Sequence, residues 1–312
     1  MIGAVDIGGT KIAVGMVDDS GKVLSKLESP TDAPGGYANG LARMIDLLRR
    51  TSRDAGVEIS GIGIGSTGVV YPGSGAFGDV DLLPGWQGNN PVQDLTREFK
   101  VTVALENDAD ASALGEAGWG AGKLKSRLIY VTVGTGIGGG IILNGQLYRG
   151  VDMAHPEISH HVIDPSGPDC SCGYRGCWES LATGPAMAAW FNANAVGDRP
   201  PQDLSAAQIC QLAKRGDELA ARAVDREAYY LGLGMANLIN LFVPDVIVLG
   251  GSVMKSAALF LDGIRKVVRQ GCRFVPYEKT ELALASLGED ANLIGAARAW
   301  HHRFRQGVGL PS

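Results

Sequence analysis

Three of the five cysteines in this 312-residue chain, Cys170, Cys172 and Cys177, fall within eight residues, with His160 and His161 just upstream. Soft thiolates and an imidazole at short loop spacing suit a four-coordinate zinc ion. The set predicted is His160, Cys170, Cys172 and Cys177, with Gly173 and Gly176 letting the backbone turn tightly around the metal. A disulfide is the other reading, but it leaves one thiol over, and nothing in the sequence indicates an oxidising compartment. A ligand set closed by protein makes the zinc structural: it holds a loop and does no chemistry. Glu157 lies three residues before His160 and Glu179 two residues after Cys177. A loop stiffened by metal would hold both carboxylates in place, which suits recognition of several hydroxyls on a small polar ligand.

The remaining chemistry-bearing stretches are rich in glycine, of which the chain has 45. Gly8-Gly9-Thr10-Lys11 separates two apolar runs and reads as a hairpin tip, where glycines bring backbone N–H groups up to an anion. A Walker A loop needs a strand-to-helix setting and another spacing, so this is not one. Residues 129–149, IYVTVGTGIGGGIILNGQLYR, repeat the order strand, glycine tip, strand, turn, strand found in residues 2–27. Two such stretches point to a duplicated unit. Asn107-Asp108 stands between a strand over 101–105 and a small-residue helix reaching about Gly118, where both side chains are good helix caps. Gly250-Gly251 sits at a strand-to-helix turn and is compatible with simple close packing.

Glu157-Ile158-Ser159-His160, followed by Cys170-Ser171-Cys172-Gly173-Tyr174-Arg175-Gly176-Cys177-Trp178-Glu179, resembles the zinc and sugar signature of the ROK family. That family holds bacterial sugar kinases, related repressors and N-acetylmannosamine kinases. Its pattern is Glu-x-Gly-His, then Cys-x-Cys-Gly-x-x-Gly-Cys-x-Glu, and Ser159 stands where the family usually has glycine. The resemblance extends over essentially the whole chain. It implies an α/β, two-lobed, actin/hexokinase-like (ribonuclease H-like) fold with a duplicated glycine-tipped hairpin unit and a zinc-bound loop. On it, Asp6, Gly8, Gly9, Thr10 and Lys11 form a first phosphate loop for ATP, with Asp6 facing Mg²⁺ through water. Gly134, Thr135 and Gly136 form the second, and Gly250 and Gly251 the adenosine motif, with Ser252 replacing a third glycine. LENDADASALGE is similar to the family's catalytic motif, which makes Asn107 a sugar ligand and Asp108 the base, with Asp110 the alternative base. Gly68, Glu157, His160 and Glu179 complete the sugar set, His160 using one ring nitrogen for Zn²⁺ and the other for a sugar oxygen. Trp86, in a Leu-Pro-Gly-Trp segment, is either a pocket neighbour or a packed residue of a surface loop.

The activity so implied is transfer of a phosphoryl group from ATP to a hexose, glucose at its 6-hydroxyl being the first expectation. His155-Pro156-Glu157 is similar to some ROK fructokinases, and mannose and N-acetylmannosamine are further candidates, as polyphosphate is for the donor. A homodimer or higher homo-oligomer is the family's expectation. A sugar-responsive repressor is the rival class, but the first phosphate loop begins at residue 6, ahead of which a helix-turn-helix has no room. A non-catalytic sugar-sensing module is disfavoured by Asp108 together with both phosphate loops.

The elements that must position these residues are legible from periodicity. Apolar spacing predicts helices over 37–56, 184–195, 205–215 and 217–241, a final helix from Asp290, and strands over 2–7, 12–17, 22–27, 59–64 and 245–249. Residues 66–90 read as loop. The expected division is a small N-terminal lobe of 1–106 plus 293–312 and a larger lobe of 107–292. A hydrophobic content of 45% with 20% charged residues fits a globular enzyme, and a net charge of −5 argues against nucleic acid or membrane as main partners. A long uncharged run, Ala228 to Pro244, is too short to cross a bilayer and reads as a buried helix. The start of the chain has no basic leader, and Cys210 and Cys272 are scattered, so the reducing cytoplasm is the expected compartment.

Overall fold

Alternation along Ile2–Ile7 sets up both faces of the first sheet. The computed structural model describes residues 1–79, 81–195 and 204–305, so the segment 306–312 of the expected small lobe and Val80 of the 66–90 loop lie outside the described residues. Strands β1 (Ile2–Ile7), β2 (Lys11–Val17), β3 (Val23–Pro30) and β4 (Gly61–Ser66) are followed by a short pair, β5 (Val70–Tyr71) and β6 (Ala76–Phe77), and by β7 (Thr102–Asn107). The sheet runs β3-β2-β1-β4-β7, with β2 antiparallel to both neighbours and β4 parallel to β1 and β7. A second sheet is built from β8 (Leu128–Val133), β9 (Ile137–Leu143), β10 (Gln146–Leu147), β11 (Val246–Gly250) and β12 (Glu281–Leu284), in the order β10-β9-β8-β11-β12. Leaving aside the β5–β6 pair, both sheets use their strands in the same order: third, second, first, fourth, fifth.

The helices are α1 (Gly36–Ala55), α2 (Pro91–Phe99), α3 (Asp108–Trp119), α4 (Trp178–Leu181), α5 (Gly184–Ala193), α6 (Ala206–Lys214), α7 (Glu218–Phe242), α8 (Leu261–Gly271) and α9 (Ala291–Phe304). The uncharged run from Ala228 lies in α7 as far as Phe242 and is largely buried there, as its composition predicts. No helix among the described residues is long and apolar enough to cross a membrane. Chain contacts divide the molecule into two units. One holds Met1–Tyr130, Gly140–Pro156 and the described part of Ala285–Ser312; the other holds Val131–Gly139 and Glu157–Leu284.

In the first unit, Val5, Ile7, Ile62, Ile64, Val103 and Leu105 pack with Met44, Leu47 and Leu48 of α1. Ile2, Ala4 and Ala104 pack with Leu293, Ala296, Ala297 and Trp300 of α9. Side chains alternate across a strand, so Asp6 shares the parity of Ile2 and Ala4 and comes to the α9 side. Trp86 is fully buried, edge-on to Tyr37 and Phe77 in the α1-side core, so it is a packed residue and not a pocket neighbour.

Helix α9 lies directly on β4 because β4 carries glycines on that side. A Cβ at Gly63 would sit 1.8 Å from the Ala296 carbonyl oxygen, inside any van der Waals distance. Gly63→Ala is therefore expected to cost about 3 kcal/mol, the upper part of the range for overpacking. Urea unfolding measures it, and an unchanged midpoint would disprove so close an approach. The crossing of α3 and α9 is equally tight, a Cβ at Gly295 meeting the Ala111 carbonyl oxygen at 2.4 Å. Glu116, fully buried in α3, then accepts from the backbone N–H groups of Ser286 (2.9 Å), Leu287 (3.0 Å) and Ala121 (2.7 Å). The bonds from Ser286 and Leu287 tie α3 to the segment that leads into α9.

Candidate active site

The first unit presents its carboxylates where β1 and β7 end. Asn107 ends β7 in extended geometry and caps α3, its Oδ1 accepting from the N–H groups of Ala109 (2.9 Å) and Asp110 (3.4 Å). The capping role read from sequence is thus realised, while the Asn107 Nδ2 donates to the Gly68 carbonyl at 3.3 Å. Gly68 holds a left-handed φ of 77°, which glycine adopts at little cost. Asp108 begins α3 half-buried, its Oδ1 accepting from the Ala109 N–H at 2.8 Å. Burial first, and then the charge of Asp6, push its carboxyl up to about 7. Asp6 is itself raised to about 6 by burial, against the opposing hydrogen bonds from Asn292, whose Nδ2 lies 3.4 Å from each carboxylate oxygen.

Asn292 gave no sequence signal of its own. Its Oδ1 accepts from Ser112 of α3 at 2.9 Å, so one amide on α9 ties the helix behind Asp108 to Asp6. The glycine tip between β1 and β2 is a closed turn, Gly8 N–H donating to the Lys11 carbonyl at 2.9 Å. Lys11 itself is exposed at the tip and paired with Glu28 at 2.9 Å. Asp110, in contrast, is fully buried and held by Arg149 and by His155, whose Nδ1 lies 2.6 Å from Asp110 Oδ2. Arg149 was missed, although it is the one charged residue in the stretch 128–149, which was a usable signal.

In the second unit, one ligand atom from each of His160, Cys170, Cys172 and Cys177 comes within 4.8 Å of the others. The chemistry of this donor set, three thiols and one imidazole, fits zinc. His160 turns Nδ1 towards Cys170 Sγ, at 3.5 Å. His161 points away, its ring packed on Trp178. Gly176, with φ of 71°, is required: a Cβ there would lie 1.7 Å from the Asp164 carbonyl oxygen. Ser159, where the family pattern has glycine, is buried in a short turn without a left-handed φ, so serine is accommodated. Glu157 is exposed just before that turn.

Glu179 joins this loop to the second glycine tip. Its Oε2 accepts from Ile137 N–H at 3.0 Å, and a Cβ at Gly136 would approach the same oxygen to 2.7 Å. Beside that tip lies a cavity of about 730 Å³, lined by Gly134 and Thr135, the first turns of α5 and α6, and Ser252 and Val253. Pro185, Ala188 and Leu204 give it an apolar wall; the first N–H groups of α5 are already bonded, Gly184 to the Gly134 carbonyl at 2.9 Å and Ala186 to Thr183 Oγ1 at 3.2 Å, so the N-terminus facing the cavity is that of α6. Gly251 sits behind this cavity, with φ of 90° and no room for a Cβ, which would meet the Val133 carbonyl oxygen at 2.3 Å. The close-packing reading of Gly250-Gly251 is therefore met at Gly251, and Ser252 and Val253 supply that end of the lining.

Two sheets of one strand order, with a glycine-rich turn joining the first two strands of each, place the chain in the actin/hexokinase-like class of α/β folds. The chain belongs to the ROK family, whose sequence profile matches residues 2–303. It is 31% identical over 302 residues to a glucokinase of Thermotoga maritima, covering 94% of this chain and 95% of that one. A ROK hexokinase structure from Thermus thermophilus superposes with a TM-score of 0.82 at 34% identity, over 96% of this chain and 97% of the other. A ROK glucokinase from Streptomyces griseus, solved with glucose and AMPPNP, gives 0.79 at 32% identity, over 95% and 97%.

Proposed function

We propose that this protein is an ATP-dependent glucokinase that transfers the γ-phosphoryl group to the 6-hydroxyl of glucose, with Asp108 as the base. The observation that carries the reading is Asp108 itself: a partly buried carboxylate at the start of α3, with a pKa brought close to neutrality by burial and by Asp6. A sugar hydroxyl is a poor nucleophile, and a carboxylate in hydrogen-bond reach accepts its proton as the new bond to phosphorus forms. Asp110 does not serve, being enclosed by Arg149 and His155. Asn107, Gly68, Glu157, His160 and Glu179 are proposed to hold the remaining hydroxyls, His160 through the ring nitrogen turned away from the cysteines.

The duplicated hairpin unit is read as two phosphate loops, one at Gly8–Lys11 and one at Gly134–Gly136. The cavity beside Gly134 is assigned to the nucleotide, its apolar wall to the base and the N-terminus of α6 to the anionic end. Asp6 is the residue to hold Mg²⁺ through water, since this ion keeps much of its hydration and takes few carboxylates. Bound there, Mg²⁺ would offset phosphate charge. His160, Cys170, Cys172 and Cys177 would hold a structural Zn²⁺ that stiffens the loop carrying Glu157 and Glu179.

A coupled assay of ADP release with glucose, fructose, mannose and N-acetylmannosamine, each with ATP or polyphosphate, tests the reading. Glucose with ATP is expected to give the highest kcat/KM; a preference for fructose would transfer the assignment to the sugar suggested by His155-Pro156-Glu157. The pH dependence follows from the sign of the Asp108 shift. Only the ionised base works, so kcat/KM should be on its plateau above about 7 and fall about tenfold per pH unit below it. A profile flat from pH 5 to 8 would remove Asp108 from this role.

A further inference from the structure

The pair Asn107-Asp108 is bracketed by two buried carboxylates that take no part in the proposed reaction. Glu106 precedes it at the end of β7, and Asp110 follows it in the first turn of α3. One side chain holds both: Arg149, 8% exposed, donates through Nη2 to Glu106 Oε2 and through Nη1 to Asp110 Oδ2. His155 Nδ1 lies 2.6 Å from the same Asp110 oxygen. Gly140 of β9 closes over the other, since a Cβ there would stand 2.9 Å from Asp110 Oδ1. Between the two carboxylates the chain turns from extended backbone at Asn107, with ψ of 148°, into the helix. At that corner the Ala109 N–H donates to Asn107 Oδ1 (2.9 Å) and to Asp108 Oδ1 (2.8 Å), so one amide touches both members of the pair.

We infer that Arg149 is a positioning residue for Asp108: its fork, closed on Glu106 and on Asp110, fixes the β7–α3 corner and so the direction in which the base meets the sugar hydroxyl. A guanidinium is planar and rigid, so its two Nη atoms set the separation of the carboxylates that they hold. Those carboxylates belong to residues on either side of the corner, and holding both leaves the residues between them little freedom to reorient. Neutralising two buried carboxylates is the plainer role for an arginine here, because leaving them uncompensated is costly. That role needs the charge alone. A lysine supplies the charge from a point on a flexible stem and cannot span the corner as a fork does. Arg149→Lys therefore separates the two.

The inference rests on Asp108 as base for its kinetic arm alone. Arg149→Lys is expected to lower kcat with glucose by about 10²-fold, the cost of displacing a reacting group by about 1 Å, with KM close to the wild-type value. In the Asp108→Asn background, where there is no base to misplace, the same substitution should lower kcat little further. An unchanged kcat, or an equal loss in both backgrounds, would overturn the inference. Glu106→Leu is the second variant. It opens one side of the fork and removes the buried acid with it, leaving Arg149 paired with Asp110. The same loss of kcat is expected there, and a wild-type kcat would count equally against the inference. The other arm needs no turnover. In Arg149→Lys the Ala109 amide should exchange its hydrogen at least about tenfold faster, while that of the buried Leu48 in α1 keeps its wild-type rate. Unchanged exchange at Ala109, or an equal rise at Leu48, would overturn the clamp even with Asp108 established as base. Full activity of Asp108→Asn would instead overturn the base assignment, and the exchange measurement would then decide the clamp by itself.

Discussion

Asp108→Asn is expected to lower kcat by at least about 10²–10⁴-fold, the contribution typical of a general base, while KM for glucose stays near the wild-type value. Asparagine preserves the shape at the start of α3 and can still accept the Ala109 N–H, so the helix and the Asn107 cap should persist. What it loses is the capacity to take a proton. Rescue by Asp110 is not expected, since its carboxylate is fully buried and committed to Arg149 and His155. Steady-state kinetics together with glucose binding by calorimetry decide the matter. A mutant with wild-type kcat would mean that another group accepts the proton.

Purified protein should contain about one zinc ion per chain, and removing it should weaken sugar binding before it unfolds the molecule. Cys172→Ala is the cleaner probe, because Cys172 is exposed whereas Cys177 is fully buried and its truncation would also leave a cavity. The expected effect is a rise in KM for glucose of about 10–100-fold, the scale seen when the support of a site's ligands is lost. Stability should change little. Trp178, next to Cys177, packs on Gly234 of α7, which anchors that end of the loop without Cys172. Metal analysis and a thermal melt of the variant are the checks. A metal-free preparation with normal KM would show that the loop holds its carboxylates unaided.

Much of this molecule was written locally. The Cys170–Cys177 spacing with Gly173 and Gly176 named its own ligand set, and the two glycine tips announced themselves by interrupting β-prone runs. Elements without a strong period were missed. Helix α2 (Pro91–Phe99) buries only Pro91 and Leu95, so its pattern is faint. Strand β12 is four residues long with no fully buried position, and the β5–β6 pair hides in a loop rich in glycine. In such segments partners elsewhere in the chain, not local periodicity, set the structure.

The sequence by itself determined the cysteine–histidine loop, the turns and the strand-to-helix junction that presents Asp108, because each depends on residues close along the chain and on backbone freedoms peculiar to glycine. Only the tertiary structure decided which carboxylates are available for chemistry. Asp108 and Asp110 are two residues apart and chemically alike, yet Arg149 and His155, about forty residues on, enclose the second, while the first is only partly buried. Likewise Asn292 reaches Asp6 from the far end of the chain, and Glu116 is satisfied by N–H groups some 170 residues away. Solvation and long-range charge set the protonation of an acid, and both are properties of packing that no local pattern encodes.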